Sequence, residues 1–193
     1  MPGILHWQAC HPQIGIDVSS YLLVESGTVL DPILPEGEGP GWIGYPVQRI
    51  VLTVRHHLRS AGEFGVPILA HETGLDEFEG TGLAVQGYEA GDELARGVTV
   101  LPFGRICPDD AVLKIDSGAG VLAFGDGLVH YNGALGHPPD QYIGDDPEAI
   151  KADIVDGLIA LADEHFDAML FAHGTPVSSG GKQMLREFLA ARR

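Results

Sequence analysis

The sequence predicts a single α/β domain over residues 1–193, an α/β/β/α sandwich in which two mixed sheets pack face to face with helices outside. Two strand-rich halves, each followed by helical segments, give this pattern. No repeat or linker divides the chain, and 193 residues suit one domain with a substantial core. Hydrophobic residues make up 45% and charged residues 20% of the chain, which is the composition of a globular protein.

The first half is predicted to contain a hairpin and then a strand–helix–strand unit. Residues 20–25 and 28–30 form the hairpin, because a Ser-Gly turn separates two apolar runs. Residues 50–54 are apolar and β-branched and form a buried strand. A short helix over residues 58–64, stopped by glycine and proline, leads to the next strand at residues 67–70.

The second half is predicted to contain four strands and two helices. The strands are apolar runs at residues 98–103, 111–115, 121–124 and 168–172. One helix begins after the capping residue Asp146, because apolar residues then recur every three or four positions. A final helix begins near Ser179. The order of the strands within the sheets does not follow from these patterns.

The acidic composition excludes several classes of function. The chain has 27 acidic and 11 basic residues and a net charge of −16, so its surface repels nucleic acid and anionic membranes. It starts without a basic segment followed by a long apolar run, and no stretch approaches the ~20 apolar residues that span a bilayer. We therefore expect a soluble, cytoplasmic protein that binds a small molecule, with no nucleic-acid or membrane partner.

Three predicted strands stop close to side chains that bind metals. His56, Asp126 and His173 each follow within two residues of the end of a buried strand. Loops at the edge of a sheet collect functional residues, because the strands hold them rigidly. Imidazole and carboxylate groups are ligands for divalent metals such as zinc. The pattern therefore favours a metal or catalytic site at one sheet edge.

Four segments carry a resemblance to a known family. They are residues 30–32 (LDP), 51–62 (VLTVRHHLRSAG), 121–127 (VLAFGDG) and 170–176 (LFAHGTP). Taken in this order and at strand ends, they resemble the motifs of the metallo-β-lactamase superfamily, and the resemblance covers nearly the whole chain. It implies the α/β/β/α sandwich of that superfamily. In the superfamily, two divalent metal ions activate water to hydrolyse an ester, thioester, amide or phosphodiester.

The resemblance also shows which metal ligands are missing. Only His56 fits the superfamily's HxHxDH motif, while Asp126 and His173 match its bridging aspartate and its last histidine. The other expected donors are replaced by Val54, Leu58, Arg59 and Arg105. The resemblance thus implies a hydrolase-like protein with a degraded metal site, unable to bind two metal ions and inactive in the superfamily's usual chemistry.

One alternative is an active hydrolase with a single divalent metal ion, zinc first of all. His56, Asp126 and His173 would bind the ion, and Asp126 and His173 are the candidate catalytic residues. A replacement ligand would come from His57, His71, His130 or His137. By itself, His57 is expected to be solvated, because histidine is commonly only partly buried.

The arginines favour another interpretation. Arg55, Arg59 and Arg105 would line a pocket for a small anionic ligand, because a guanidinium presents a fixed positive fork. Arg59 or Arg105 would then pair with Asp126 in place of a metal ion, and no cofactor would be needed. A third alternative is a subunit retained for its surface, which would form a stable homo-oligomer.

Overall fold

Two β-sheets, of six and five strands, form the centre of the structure, a computed structural model that describes residues 1–192. The first sheet has the spatial order β1 (Ile4–Cys10), β2 (Asp17–Leu23), β3 (Thr28–Leu30), β4 (Arg49–Val51), β5 (Ile68–His71) and β6 (Val85–Tyr88). Neighbours from β1 to β3 are antiparallel, whereas neighbours from β3 to β6 are parallel. The sheet is therefore mixed, and the predicted hairpin is its β2–β3 pair.

The second sheet is also mixed. Its spatial order is β13 (Ala168–Phe171), β10 (Val121–Phe124), β9 (Val112–Ile115), β8 (Val98–Leu101) and β7 (Glu93–Ala95). β10 and β13 run parallel, and the other neighbours run antiparallel. A separate ribbon, β11 (Val129–Tyr131) and β12 (Ala134–Gly136), follows β10. All four strands predicted for the second half belong to this sheet.

Two α-helices, α1 (Pro147–Leu161) and α2 (Gly181–Ala190), lie against the outer face of the second sheet. The start of α1 is as predicted. The Asp146 carboxylate accepts a hydrogen bond from the Ala149 backbone N–H at 3.1 Å, and Pro147 stands in the first turn. None of the helices described in residues 1–192 combines the length and the apolar character of a membrane span.

The two sheets pack face to face, which confirms the predicted sandwich. One buried apolar cluster joins side chains of β2, β3 and β4 with side chains of β8, β9, β10 and β13. Strand β10 shows how the layers divide, because successive side chains of a strand point to opposite faces. Val121 and Ala123 face the first sheet, while Leu122 and Phe124 pack with the helices.

Short 3-10 turns cover the outer face of the first sheet. The helix predicted over residues 58–64 is replaced by two such turns, Arg55–Leu58 and Ala61–Phe64. The break falls at Arg59, whose φ of 37° does not fit a right-handed helix. Gly65 then ends the second turn in the left-handed conformation. Apolar side chains of both turns still pack on the sheet, so short 3-10 turns form this outer layer in place of one continuous helix.

Candidate metal centre

Three strands deliver side chains to one edge of the two sheets. β10 and β13 are parallel neighbours, so Asp126 and His173, which follow them, lie close together. His57 comes from the 3-10 turn after β4 in the facing sheet. A hydrogen bond holds the sheets together nearby, since Tyr21 Oη donates to the Phe171 carbonyl oxygen at 2.9 Å.

The donor atoms of these three side chains converge. His57 Nε2 lies 3.0 Å and His173 Nε2 lies 3.1 Å from Asp126 Oδ1. Neither contact has the geometry of a hydrogen bond, and Oδ1 is buried without a hydrogen-bond partner. All three donor atoms lie within 4.8 Å of one another. Two ligands about 2.1 Å from one tetrahedral zinc ion are roughly 3.4 Å apart, so this spacing fits a shared metal ion.

The other nitrogen of His57 is fixed by its neighbours. His57 Nδ1 lies 3.2 Å from both Thr53 Oγ1 and Asp31 Oδ2. The Thr53 hydroxyl donates to Asp31 at 2.6 Å, so its oxygen accepts from the imidazole, which places a proton on Nδ1. In the neutral ring, Nε2 then carries the lone pair, and it lies 3.0 Å from Asp126 Oδ1. Carboxylates and hydroxyls behind a metal-binding histidine commonly orient it in this way.

The charges around His57 favour its protonated form. Burial lowers the pKa of His57, and so does Arg59, but Asp31 and Asp126 outweigh them and raise it to about 9. Burial likewise opposes ionisation of Asp126, but His57 and His173 hold the pKa of Asp126 well below its usual range. The group therefore contains at least one carboxylate that is charged at neutral pH.

Asp31 is a buried residue that the sequence analysis named only as part of the LDP segment. Its carboxylate accepts the Thr53 backbone N–H at 2.8 Å as well as the Thr53 hydroxyl. Burial by itself raises the pKa of Asp31, but His57, Arg59 and Thr53 bring it below its usual value. Asp31 adopts a φ of 46°, which turns the chain sharply at the end of β3. The LDP segment, which is part of the resemblance, was the one feature of the sequence that could have indicated a structural role for Asp31.

Asp110 supports the loop that carries Asp126, and no sequence signal pointed to it. Its Oδ1 accepts the Asp126 backbone N–H at 3.1 Å. Burial and the nearby Asp126 raise the pKa of Asp110 well above its usual value. A Cβ atom on Gly125 would lie 2.6 Å from Asp110 Oδ1, and one on Gly127 would lie 2.3 Å from the Phe103 ring. The Gly-Asp-Gly sequence thus permits close packing around Asp126.

Of the predicted metal ligands, Asp126 and His173 are brought together and His56 is not. His56 is exposed, whereas His57 is 3% exposed and occupies the place predicted for its neighbour. The 3-10 turn Arg55–Leu58 determines which of the two adjacent rings points inward. The expectation that His57 is solvated was therefore wrong. The other alternative ligands, His71, His130 and His137, do not join the group.

The structure separates the three arginines that were predicted to share a pocket. Arg55 Nη2 lies 2.7 Å from Asp109, and Arg105 Nη1 lies 2.8 Å from Asp153 on α1. Only Arg59 lines the cavity at the metal centre. No arginine among residues 1–192 forms an ion pair with Asp126, so the guanidinium–carboxylate pair predicted there is absent from this part of the chain.

Arg59 occupies an unusual position beside the centre. Its Nη1 donates to the backbone oxygens of Ser19 at 3.2 Å and Asp31 at 2.9 Å. Its Nε and Nη2 atoms are buried without a hydrogen-bond partner. Burial lowers the pKa of Arg59, although Asp31 and Asp126 act in the opposite direction. Because unpaired buried donors are costly, this guanidinium is suited to receive an anionic group.

A cavity of about 650 Å³ opens above the centre. His57, Asp126 and His173 lie among its lining residues together with Arg59. Most of the remaining lining is apolar or aromatic. This volume is typical of sites for small organic molecules. The arrangement therefore offers three converging metal ligands, one guanidinium and an apolar enclosure within a single site.

Comparison with solved structures identifies the fold. This chain is similar to a metallo-β-lactamase family protein from Thermus thermophilus. The match covers 100% of this chain and 80% of that protein, with a TM-score of 0.66 and 18% identity. It is also similar to an archaeal metallo-β-lactamase superfamily protein from Sulfolobus tokodaii. This match covers 98% of this chain and 85% of that protein, with a TM-score of 0.67 and 15% identity. The protein therefore has the metallo-β-lactamase fold, as its motifs predicted.

A third solved structure adds a metal-containing comparison. This structure is TTHA1623, crystallised in a di-iron-bound form. The match covers 92% of this chain and 96% of TTHA1623, with a TM-score of 0.64 and 22% identity. At these identities the likeness concerns the fold alone. The sequence matches no protein-family model and no curated protein. The fold does not fix the function, which depends on the residues of the site.

Proposed function

We propose that the protein is a hydrolase that binds a single divalent metal ion through His57, Asp126 and His173. The observation that carries the proposal is the convergence of two imidazole nitrogens on a buried carboxylate oxygen without hydrogen-bond geometry. Two nitrogens and one oxygen suit zinc or iron(II), and three protein ligands leave a position open for substrate. The fold is shared with proteins that include a di-iron-bound structure.

The same site is degraded with respect to a second metal ion. Counted from His57, which takes the place predicted for His56, the other three donor positions of the motif are Arg55, Arg59 and Ser60, and two of these carry a positive charge. A guanidinium about 4 Å from a divalent ion opposes it by roughly 8 kcal/mol at an effective dielectric constant near 20. Among residues 1–192, His57, Asp126 and His173 form the one group with three converging donors. We therefore expect one ion per chain, and zinc is the first ion to test.

The residues of the site have separate tasks in this proposal. When bound, a divalent ion supplies Lewis acidity and lowers the pKa of water towards neutrality. Asp31 and Thr53 hold one proton of His57 on Nδ1, so a bound metal ion would take the place of the proton on Nε2. Arg59 stabilises negative charge that develops on the substrate beside the centre. The apolar cavity walls restrict bulk water around the reacting groups.

A second candidate function is binding of a small anion without metal or turnover. The unpartnered Nε and Nη2 atoms of Arg59 favour it, because a carboxylate or phosphate would satisfy both donors. In this case the His57–Asp126–His173 group would serve as a charged wall of the binding site. Phosphate would then stabilise metal-free protein, and Arg59→Met would abolish the effect.

Metal analysis of untagged protein, stripped with chelator and reloaded with zinc, tests the proposed function. We expect one zinc ion per chain in the wild type and in His56→Ala, and loss of zinc in His57→Ala and His173→Ala. His56→Ala is a matched control, because it removes the adjacent, exposed ring. Hydrolysis of simple esters should require zinc. Wild-type protein without stoichiometric metal would overturn the proposal, as would zinc binding that survives in both His57→Ala and His173→Ala.

A further inference from the structure

The mouth of the cavity is apolar to a degree that the proposed function does not explain. Among residues 1–192, eight large hydrophobic side chains are strongly exposed, and four of them line this cavity. They are Ile14, Ile16, Tyr131 and Tyr142, with exposed fractions of 40, 44, 42 and 57%. Clustered exposed apolar side chains rimmed by polar residues typically mark a ligand or partner site.

The four side chains come from two segments that are distant in sequence. Ile14 and Ile16 lie in the connection between β1 and β2, and Tyr131 and Tyr142 lie in the chain that follows β10. The cavity wall includes four more apolar side chains, those of Ile106, Val129, Pro138 and Pro139. The metal centre and Arg59 line the same cavity, so its apolar and polar parts are continuous.

We propose that the substrate carries a bulky apolar acyl or aryl group, which packs against this mouth while its ester or thioester bond reaches the metal centre. The inference rests on the proposed hydrolase function. A cavity of about 650 Å³ holds a medium-length alkyl chain or a ring system as well as the reacting group. Asp126 is the one acidic side chain in the lining, which also contains Arg59 and four histidines, so an acyl carboxylate product fits the local charge.

Binding of alkyl carboxylates to metal-free protein, measured by calorimetry, tests the proposal without turnover. Butanoate, hexanoate, octanoate and decanoate represent acyl products of increasing length. We expect the Kd to fall by up to about fourfold for each added methylene group until the mouth is filled. Benzoate and naphthoate test aryl groups in the same way. A Kd that does not depend on chain length or ring size would overturn the proposal.

Two tyrosines provide a matched pair of variants. Tyr142→Ser removes a ring at the mouth that is 57% exposed, and we expect about tenfold weaker decanoate binding with butanoate unaffected. Tyr45→Ser removes a ring that is 48% exposed but outside the cavity lining, and we expect no change. Ile14→Ser, on the opposite segment, should resemble Tyr142→Ser. If Tyr142→Ser and Tyr45→Ser weaken decanoate binding equally, the cavity mouth is not a specific binding site for the alkyl chain.

A second copy of the chain is the competing occupant of this surface. Sedimentation of the same variants distinguishes it, because a dimer that Tyr142→Ser dissociates would mean that the mouth is an interface and would overturn the proposal. Zinc content, measured in parallel, separates the two proposals. Chain-length-dependent binding by protein that takes up no zinc would overturn the hydrolase function and support the apolar subsite alone.

Discussion

Asp31 and Thr53, which lie behind His57, control which of its nitrogens faces the candidate metal. The Thr53 hydroxyl is committed to Asp31, so it accepts from Nδ1 and cannot donate to it. Asp31 accepts hydrogen bonds and donates none when ionised. Both neighbours therefore favour the same tautomer, in which the unprotonated Nε2 lies 3.0 Å from Asp126 Oδ1. The chemistry of the centre thus depends on a buried residue that would not touch the metal.

Asp31→Asn should weaken zinc binding while preserving the fold. The asparagine amide would present an N–H donor where the carboxylate accepts, which favours the tautomer with its proton on Nε2. We expect zinc affinity to fall by about 10- to 100-fold, the usual effect of losing such a supporting group. Competition with a chromophoric chelator measures it.

Asp17→Asn provides the control for this substitution. Asp17 is exposed at the start of β2, and the same change there should leave zinc affinity unaltered. Unchanged zinc affinity in a folded Asp31→Asn protein would contradict the role assigned to Asp31.

The limits of sequence reasoning are visible in His56 and His57. Asp126 and His173 could be predicted because each follows a uniformly apolar strand, and parallel strands bring their ends together. Two adjacent histidines carry no such signal. Their orientation depends on the backbone of an irregular turn, in which His57 has φ −90° and ψ 20°. That geometry arises from tertiary packing and is not encoded in a local pattern.

Arg55 and Asp109 connect the two sheets beside the metal centre. Arg55 follows β4, and Asp109 precedes β9 in the facing sheet. The Asp109 carboxylate accepts the Arg55 backbone N–H at 2.6 Å and its Nε–H at 2.8 Å. Asp109 is 1% exposed, so the pair is largely removed from water. The turn that carries His57 is thereby fixed to the neighbouring sheet.

Arg55→Ala should destabilise the protein by about 3 kcal/mol at neutral pH, because it leaves a buried carboxylate without its cation. Burial alone raises the pKa of Asp109, but hydrogen bonds from Arg55 bring it below its usual value. The ion pair therefore contributes fully above about pH 4, where Asp109 is ionised in both states. Its contribution is lost as the pH falls through the lower pKa of the folded protein.

Urea unfolding in chelator-containing buffer measures this effect. The difference between wild type and Arg55→Ala should be large at pH 7 and should narrow as the pH falls below about 4. Arg96→Ala is the control, because its side chain is 93% exposed and lies 4.0 Å from Glu25. If Arg55→Ala lowers the free energy of unfolding by the same amount at every pH, the effect does not have an ionic origin.

Elements were predictable where burial is uniform and not where it is mixed. β10 and β13 are buried at every position, and their apolar runs identify them directly. β1, β6 and β7 escaped prediction because exposed and buried residues are mixed along them or the strand is very short. The helix predicted over residues 58–64 failed for another reason. Its apolar positions are real packing sites, but Arg59 breaks the helical backbone between them.

The number and type of layers could be predicted from the sequence, but the order of the strands within each sheet could not. Apolar runs in two halves require two buried faces, and a face-to-face sandwich supplies them. Strand order depends on which strand edges pair. Because every buried strand has a similar apolar composition, the sequence does not distinguish one pairing from another. β1 illustrates the difficulty, because it forms the edge of the first sheet before the predicted hairpin begins.

The net charge of −16 should make the stability of the whole protein depend on salt. Like charges are closer together in the folded chain than in the unfolded chain, so self-repulsion opposes folding. Raising sodium chloride from about 10 mM to 300 mM shortens the screening length from roughly 30 Å to below 8 Å. We therefore expect the midpoint of thermal unfolding, measured by calorimetry in chelator-containing buffer, to rise by several degrees at pH 7.

The same salt series near the sequence pI of about 4.7 is the internal control. There the net charge approaches zero, so the increase in the unfolding midpoint should largely disappear. Surface ion pairs such as Lys114–Glu164, at 2.8 Å, act in the opposite direction, because salt weakens attraction as well as repulsion. A midpoint that falls with salt at pH 7 would mean that such pairs outweigh the repulsion among the 27 acidic residues.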